Sequence, residues 1–167
     1  MAQQARGYAG SADQHDAWMR QVLALREAVL AAGGQKWTIA LEYELLRLEK
    51  RVDAVVLTDR AIVCLEFKTG APDRAMLAEA EDYALDLRDF HAGSRRHVIV
   101  PMLVAARVPF KPPLQPWLLP PCPTEPLLCG HTDLGGAFLW IASEVQPATA
   151  PLDGAAWPVS YTHLRAH

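Results

Sequence analysis

An α/β fold with the order α-β-β-β-α-β, a mixed central sheet flanked by helices, is predicted from three observations. Residues 13–32 carry an apolar stripe at helical spacing; Trp37 to Phe67 holds three β-rich segments joined by short turns; and a nearly all-apolar run at His97 to Ala106 follows a second helical stripe. The 167 residues, 51% hydrophobic and 21% charged, suffice for one domain with a real core and are too few for two substantial ones.

The first helix is expected over Asp13 to Ala32, where Trp18, Val22, Leu25 and Val29 share a face and Gly33-Gly34 stops it. Strands are expected at Thr38 to Leu45, Arg51 to Thr58 and Ala61 to Phe67, close enough in sequence for an antiparallel meander. Pro72 and Asp73 open a second helix, with Met76, Ala80, Tyr83, Leu87 and Phe90 as its stripe, ending near Gly93. The apolar run from His97 reads as a strand covered on both faces. Eight prolines between Pro109 and Pro126 exclude helix or central strand there and predict an extended surface segment. Thr132 or Asp133 is expected to cap a last helix reaching about Glu144.

The domain is therefore placed at residues 1–145. Residues 146–158, rich in Pro, Ala and Gly, read as a linker. Residues 159–167 have no periodicity and resemble the translation of a sequencing-library adapter fused to a truncated reading frame, so they are read as a non-native tail and set aside from functional argument.

A polar N-terminus without the apolar core of a signal peptide, and no run long enough to span a bilayer, predict a cytoplasmic protein without membrane contact. Three cysteines without a disulfide-framework spacing agree with a reducing compartment. Cys122, Cys129 and His131 lack the paired spacing of a zinc site, and no phosphate-binding glycine run suggests ATP. His91 and His97 read as helix-end and surface residues. The net charge of −3 argues against a free-standing nucleic-acid binder unless carboxylates that ligate metal account for part of it, or a neighbouring domain supplies the basic surface.

The chemistry concentrates in the meander. A two-residue turn at Asp59-Arg60 places Asp53 opposite Glu66, and a turn at Leu48-Glu49 places Glu44 opposite Asp53, so three carboxylates form one row. Opposed like charges about 5 Å apart are destabilising unless neutralised, and a hard divalent cation such as Mg²⁺ (or Mn²⁺) is the simple remedy. Asp53 and Glu66 are the predicted ligands, with Glu44 as a third. Lys68, two residues beyond Glu66, shares its face and is placed to act on an attacking water and on phosphate oxygens. A Glu-x-Lys triplet alone is common on solvated strands; here Asp53 and Glu66 interrupt strands otherwise built of Val, Leu, Ile and Ala, where unpaired charge is costly.

The stretch KRVDAVVLTDRAIVCLEFKTGA resembles the core of the PD-(D/E)XK, or restriction-endonuclease-like, superfamily, with Asp53 as the motif aspartate and Glu66-Phe67-Lys68 as E-x-K. With EDYALDLRDFHAGS, the chain is similar from about Gln35 to Val104 to the N-terminal domains of bacterial Schlafen-related helicase proteins, and PLDGAAW resembles the segment leading into the helicase. The resemblance implies a restriction-endonuclease-like αβββαβ core and a metal-dependent nuclease acting on nucleic acid, DNA rather than RNA, attached to a helicase domain. It also implies catalytic roles for Asp53, Glu66 and Lys68, to which the carboxylate row adds Glu44. Glu79 and Tyr83 fall where many exonuclease-like members carry Gln-x-x-x-Tyr and, with Arg51, are assigned to substrate contact; Glu for Gln is a departure that removes an amide donor. An acid from the first helix is often used in the superfamily, and Glu27 stands in that position. The alternative is a catalytically inactive module that keeps the fold and holds nucleic acid or docks on the helicase.

Overall fold

The computed structural model describes residues 2–45, 48–113, 125–150, 152 and 163–165, with backbone alone for 2–11 and 163–165. In chain order the elements are α1 (Ala2–Ala31), β1 (Thr38–Leu45), β2 (Lys50–Leu57), β3 (Ala61–Lys68), α2 (Arg74–Phe90), β4 (Val98–Ala105), β5 (Leu127–Cys129), α3 (Leu134–Glu144) and β6 (His163–Arg165). The sheet order is β5-β4-β3-β2-β1-β6. β1, β2 and β3 form an antiparallel meander, while β4 and β5 add in parallel. The predicted α-β-β-β-α-β core in a mixed sheet is thus the architecture observed.

Alternation along the strands divides the core into two layers. On one face Ile39, Leu41, Ala54, Val56, Val63 and Leu65 meet Leu25 and Val29 of α1 and Phe138 and Ile141 of α3, all fully or nearly buried. On the other face Val55, Leu57, Ile62 and Ile99 meet Ala84 and Leu87 of α2. β3 and β4 each have a strand on both sides and pair in parallel inside the sheet, which explains their almost unbroken apolar sequences.

Local chemistry sets the joints. α1 ends where Gly33 takes φ +82° and the Gly34 N–H reaches back to the Val29 carbonyl at 2.9 Å, a left-handed helix stop that glycine enters without strain. The β2–β3 turn is closed by Thr58, whose Oγ1 accepts from the N–H groups of Arg60 (3.0 Å) and Ala61 (2.8 Å). Asp73 caps α2 by accepting from the Met76 N–H at 2.8 Å.

Several expectations need correction. α1 begins at Ala2, well before Asp13, because an Ala- and Gln-rich start favours helix without displaying an apolar stripe. β5, only three residues long and directly after Pro126, was hidden by the proline-rich run. Asp133 does not cap α3 with its side chain; its carboxylate accepts from the Phe110 N–H at 2.7 Å. His97 is buried, at 5% exposure, and not a surface residue. In and beside the segment read as a linker, the Arg60 guanidinium donates to the Val145 carbonyl, the Ala148 N–H donates to Asp59 O at 3.2 Å, and Leu152 packs against the α2-side core. His163–Arg165, in the segment set aside as a tail, pairs with Thr38–Ala40 at the sheet edge. Cys122 and most of the proline-rich segment lie outside the described residues. Among the described residues no helix is long and apolar enough to cross a membrane.

Candidate metal centre at the end of the β2–β3 ladder

The regular pairing of β2 with β3 runs from Leu57↔Ile62 to Ala54↔Leu65, the register expected from the Asp59-Arg60 turn. One step further Asp53 faces Glu66, and there the side chains take over from the ladder. The Phe67 N–H donates to Asp53 Oδ2 at 2.9 Å, and the Asp53 N–H donates to Glu66 Oε1 at 3.2 Å. Each carboxylate is therefore fixed by one backbone donor and keeps its second oxygen for another partner.

The site is short of positive charge. Glu66 is 4% exposed. Burial first, and then the neighbouring Asp53 carboxylate, push it up to about 8, against the pull of the Asp53 N–H and of Lys68. Asp53 is also raised, chiefly by burial, although the Phe67 N–H and a hydrogen bond to Glu66 oppose this. At neutral pH the pair thus retains a proton between its two carboxyl groups, as closely opposed buried acids do.

Lys68 lies on the same face, its Nζ 3.9 Å from Glu66 Oε2 and 3.0 Å from Glu79 Oε2. Its ammonium is held above the ordinary value, first by the hydrogen bond to Glu79. Tyr83, one turn after Glu79 on α2, is half-buried; burial first, then the charges of Glu66, Glu79 and Asp53, push its hydroxyl up to about 12. Asp53, Glu66, Lys68, Glu79 and Tyr83 therefore form one connected group between the end of β3 and the α2 face.

Glu44 is not part of it. The observed β1–β2 register pairs Glu44 with Arg51 and Leu41 with Ala54, two residues away from the predicted register, because the connection after Leu45 is longer than a two-residue turn. Glu42 also adopts φ +48°, a strained conformation for a side chain of this size. Beyond it the alternation inverts: Leu41 belongs to the α1-side core, while Tyr43 and Leu45 belong to the α2-side core. Glu42 and Glu44 are left exposed, and the predicted row of three carboxylates is reduced to two. Arg51, 60% exposed, lies 3.9 Å from Glu42 and with Glu44 borders a separate cavity of about 440 Å³, so it does not join Glu79 and Tyr83. Glu27 faces a different cavity across the sheet.

Among the described residues no group of three or more His, Cys, Asp or Glu side chains is placed to hold a metal ion. The donor set nevertheless fits a hard cation of the Mg²⁺ class, which commonly takes only one or two carboxylates and completes its sphere with water and substrate oxygens. A cation between Asp53 and Glu66 would displace the shared proton and relieve the repulsion that burial magnifies. Comparison with known protein families, characterised proteins and solved structures returns no match to this chain.

Proposed function

We propose that this chain is a metal-dependent nuclease domain that hydrolyses phosphodiester bonds in nucleic acid, DNA rather than RNA, and works in the cytoplasm attached to a helicase. The observation that carries the reading is the opposed, buried pair Asp53 and Glu66, each anchored by a backbone N–H, with the Lys68 ammonium on the same face. Buried carboxylates are ordinarily paired with cations, and Lys68 spends its closest contact on Glu79. The resemblance of Asp53 and Glu66-Phe67-Lys68 to the PD-(D/E)XK pattern supports the same assignment.

Asp53 and Glu66 would hold Mg²⁺ or Mn²⁺, which when bound supplies a Lewis acid at the phosphate and a more acidic water. The chain's own groups do the rest. Lys68, kept protonated by Glu79 and Glu66, orients the attacking water and offsets charge on the phosphate oxygens; it is not the base that receives the water's proton. Glu79 positions Lys68, and Tyr83 offers a protonated hydroxyl beside them.

A second reading, the inactive module that binds nucleic acid or docks on a helicase, is favoured by one contact. Lys68 is 3.0 Å from Glu79 and 3.9 Å from Glu66, so Glu79, where exonuclease-like relatives of the pattern carry Gln, draws the ammonium away from the carboxylate pair.

Calorimetric titration of Mg²⁺ and Mn²⁺ into the protein, followed by incubation with single- and double-stranded DNA and RNA, separates the two. Metal uptake with cleavage that Asp53→Asn abolishes supports the nuclease. Nucleic-acid binding with no metal uptake supports the module.

A further inference from the structure

Before its regular pairing with β3 begins at Ala54↔Leu65, β2 has already run from Lys50, and the Lys50 side chain turns to α2. Its Nζ lies 2.9 Å from Asp86 Oδ2, just as Lys68 Nζ lies 3.0 Å from Glu79 Oε2. Glu79, Asp82 and Asp86 follow one another at helical spacing, so one face of α2 supplies both partners, about 10 Å apart along the helix axis. The two ammonium groups share one electrostatic neighbourhood. Lys50 is held above its ordinary value first by the hydrogen bond to Asp86, and Asp82 and Glu79 add to it; Lys68 is held up first by Glu79. The partners in the Lys50 pair are unequal. Asp86 is 17% exposed and fixed against the sheet, whereas Lys50 is 45% exposed and carries its charge on a flexible four-carbon stem.

We propose that Lys50 is a second substrate-contacting residue of the nuclease site, receiving a neighbouring phosphate of the strand attacked at Asp53, Glu66 and Lys68, and that Asp86 positions its ammonium until that phosphate displaces the carboxylate. The inference rests on the nuclease reading and adds a residue to it. A phosphodiester lying at the carboxylate pair brings its neighbours with it, and along α2 those neighbours meet Glu79, Asp82 and Asp86 in a chain of net charge −3. Nucleic acid is held mainly by cations set against its phosphates, so a strand on this face needs one beyond Lys68. Lys50 stands three residues before Asp53 on the same strand and turns to the same helix face. A carboxylate and a phosphodiester offer an ammonium the same thing, paired anionic oxygens that accept charge-assisted hydrogen bonds. Asp86 therefore marks a place where such a group fits. An ion pair this open to water is worth little, so the exchange of carboxylate for phosphate meets small resistance.

The test is binding of a fluorescent thymidine dodecamer to the full chain in chelator, read by anisotropy over a range of salt. Lys50→Ala should weaken binding about tenfold and lower the slope of log affinity against log salt by about 0.7, the share of one phosphate contact on a single strand; Lys50→Arg, which keeps the charge, should stay within about twofold of the parent. Asp86→Asn should tighten binding about fivefold, and the same change made in Lys50→Ala should do nothing, because its effect runs through Lys50. Glu81→Gln, an equal charge change at an exposed position of α2, should leave binding within about twofold. Lys50→Ala binding like the parent, Asp86→Asn weakening the complex, or Asp86→Asn tightening it equally with and without Lys50 overturns the assignment and leaves the pair as a tie between β2 and α2; so does a parent that does not bind. Mg²⁺ uptake and cleavage are read separately on the same proteins. A parent that takes up Mg²⁺ and cleaves while the variants match it loses the Lys50 role alone, whereas absence of both uptake and cleavage removes the reading beneath it.

Discussion

Replacing Glu66 by Gln probes the carboxylate pair without disturbing its shape, since Gln keeps an oxygen for the Asp53 N–H and offers an amide donor to Asp53, as protonated Glu66 does. Burial and Asp53 hold the Glu66 carboxyl at about 8 instead of 4.5, so the folded chain keeps a proton that the unfolded chain has lost. Stability therefore falls as pH rises through this interval and levels off above it. Between pH 6.5 and 8.5 the loss is about 2 kcal/mol, or roughly 4–8 °C in melting temperature for a chain of this size. His91 and His97, held below their ordinary value by burial, act in the opposite sense: their contribution is present above about 6.5 and is lost as pH falls. The window is set above them.

In chelator, the parent should melt progressively lower from pH 6.5 to 8.5, while Glu66→Gln stays nearly level and melts above the parent at pH 8.5. Cys64 and Cys129 are raised first by burial, Cys64 also by Glu66, so both thiols stay protonated in the folded chain across the window and their effect nearly cancels in the difference. Millimolar Mg²⁺ should restore the parent at pH 8.5, because a ligand bound only by the folded state stabilises it by about 2.7 kcal/mol at a hundredfold excess over Kd. It should do little for Glu66→Gln. A parent that melts at one temperature across the window, with no response to Mg²⁺, would refute both the strained pair and the cation that relieves it.

Lys68→Ala should abolish cleavage yet retain Mg²⁺ uptake at pH 9, with stability changed by less than about 1 kcal/mol since its partner Glu79 is 43% exposed; retained nicking would defeat its role. At pH 8.5 in chelator Asp53→Asn should raise the melting temperature by removing repulsion, whereas Asp53→Ala should cost about 1–3 kcal/mol of stability and melt lower because the Phe67 N–H loses its acceptor; the two variants melting alike would show that the hydrogen bond carries no weight. Deleting residues 159–167 removes the edge pairing of His163–Arg165 with β1 and should shift stability by less than about 1 kcal/mol, so a drop of many degrees would mean that the segment is integral to the sheet.

The sequence disclosed the parts of the fold whose pattern repeats. β1 was expected at Thr38 to Leu45 and is found there, and the Asp59-Arg60 turn set the β2–β3 register on which the meeting of Asp53 and Glu66 depends. Two-residue turns constrain register tightly, whereas the connection between Leu45 and Lys50 carries no such signature, and an error of two in its length moved Glu44 from Asp53 to Arg51. The inversion at Glu42 was illegible for another reason: a positive φ at Glu follows from Tyr43 and Leu45 burying under α2, a tertiary demand with no local sequence mark. The cavity that Glu27 borders was equally hidden, since Ala24, Ala28 and Gly135 come together only when α1 and α3 pack.

The place where the ladder ends and the place where charge accumulates coincide for a physical reason. Past Ala54 and Leu65 the two strands no longer satisfy one another through their backbones, and the N–H groups of Asp53 and Phe67 need other acceptors. Carboxylates answer that need with strong, charge-assisted hydrogen bonds, which hold each group in one orientation with an oxygen to spare. Neutral side chains could accept the same bonds at less electrostatic cost, and Asn or Gln at either position would avoid the elevation of Glu66 to about 8. Retaining two acids where one amide would close the structure more stably is thus a sacrifice of stability local to this point. A partner that needs both charges would account for such a sacrifice, and the proposed cation held by Asp53 and Glu66 is a partner of that kind.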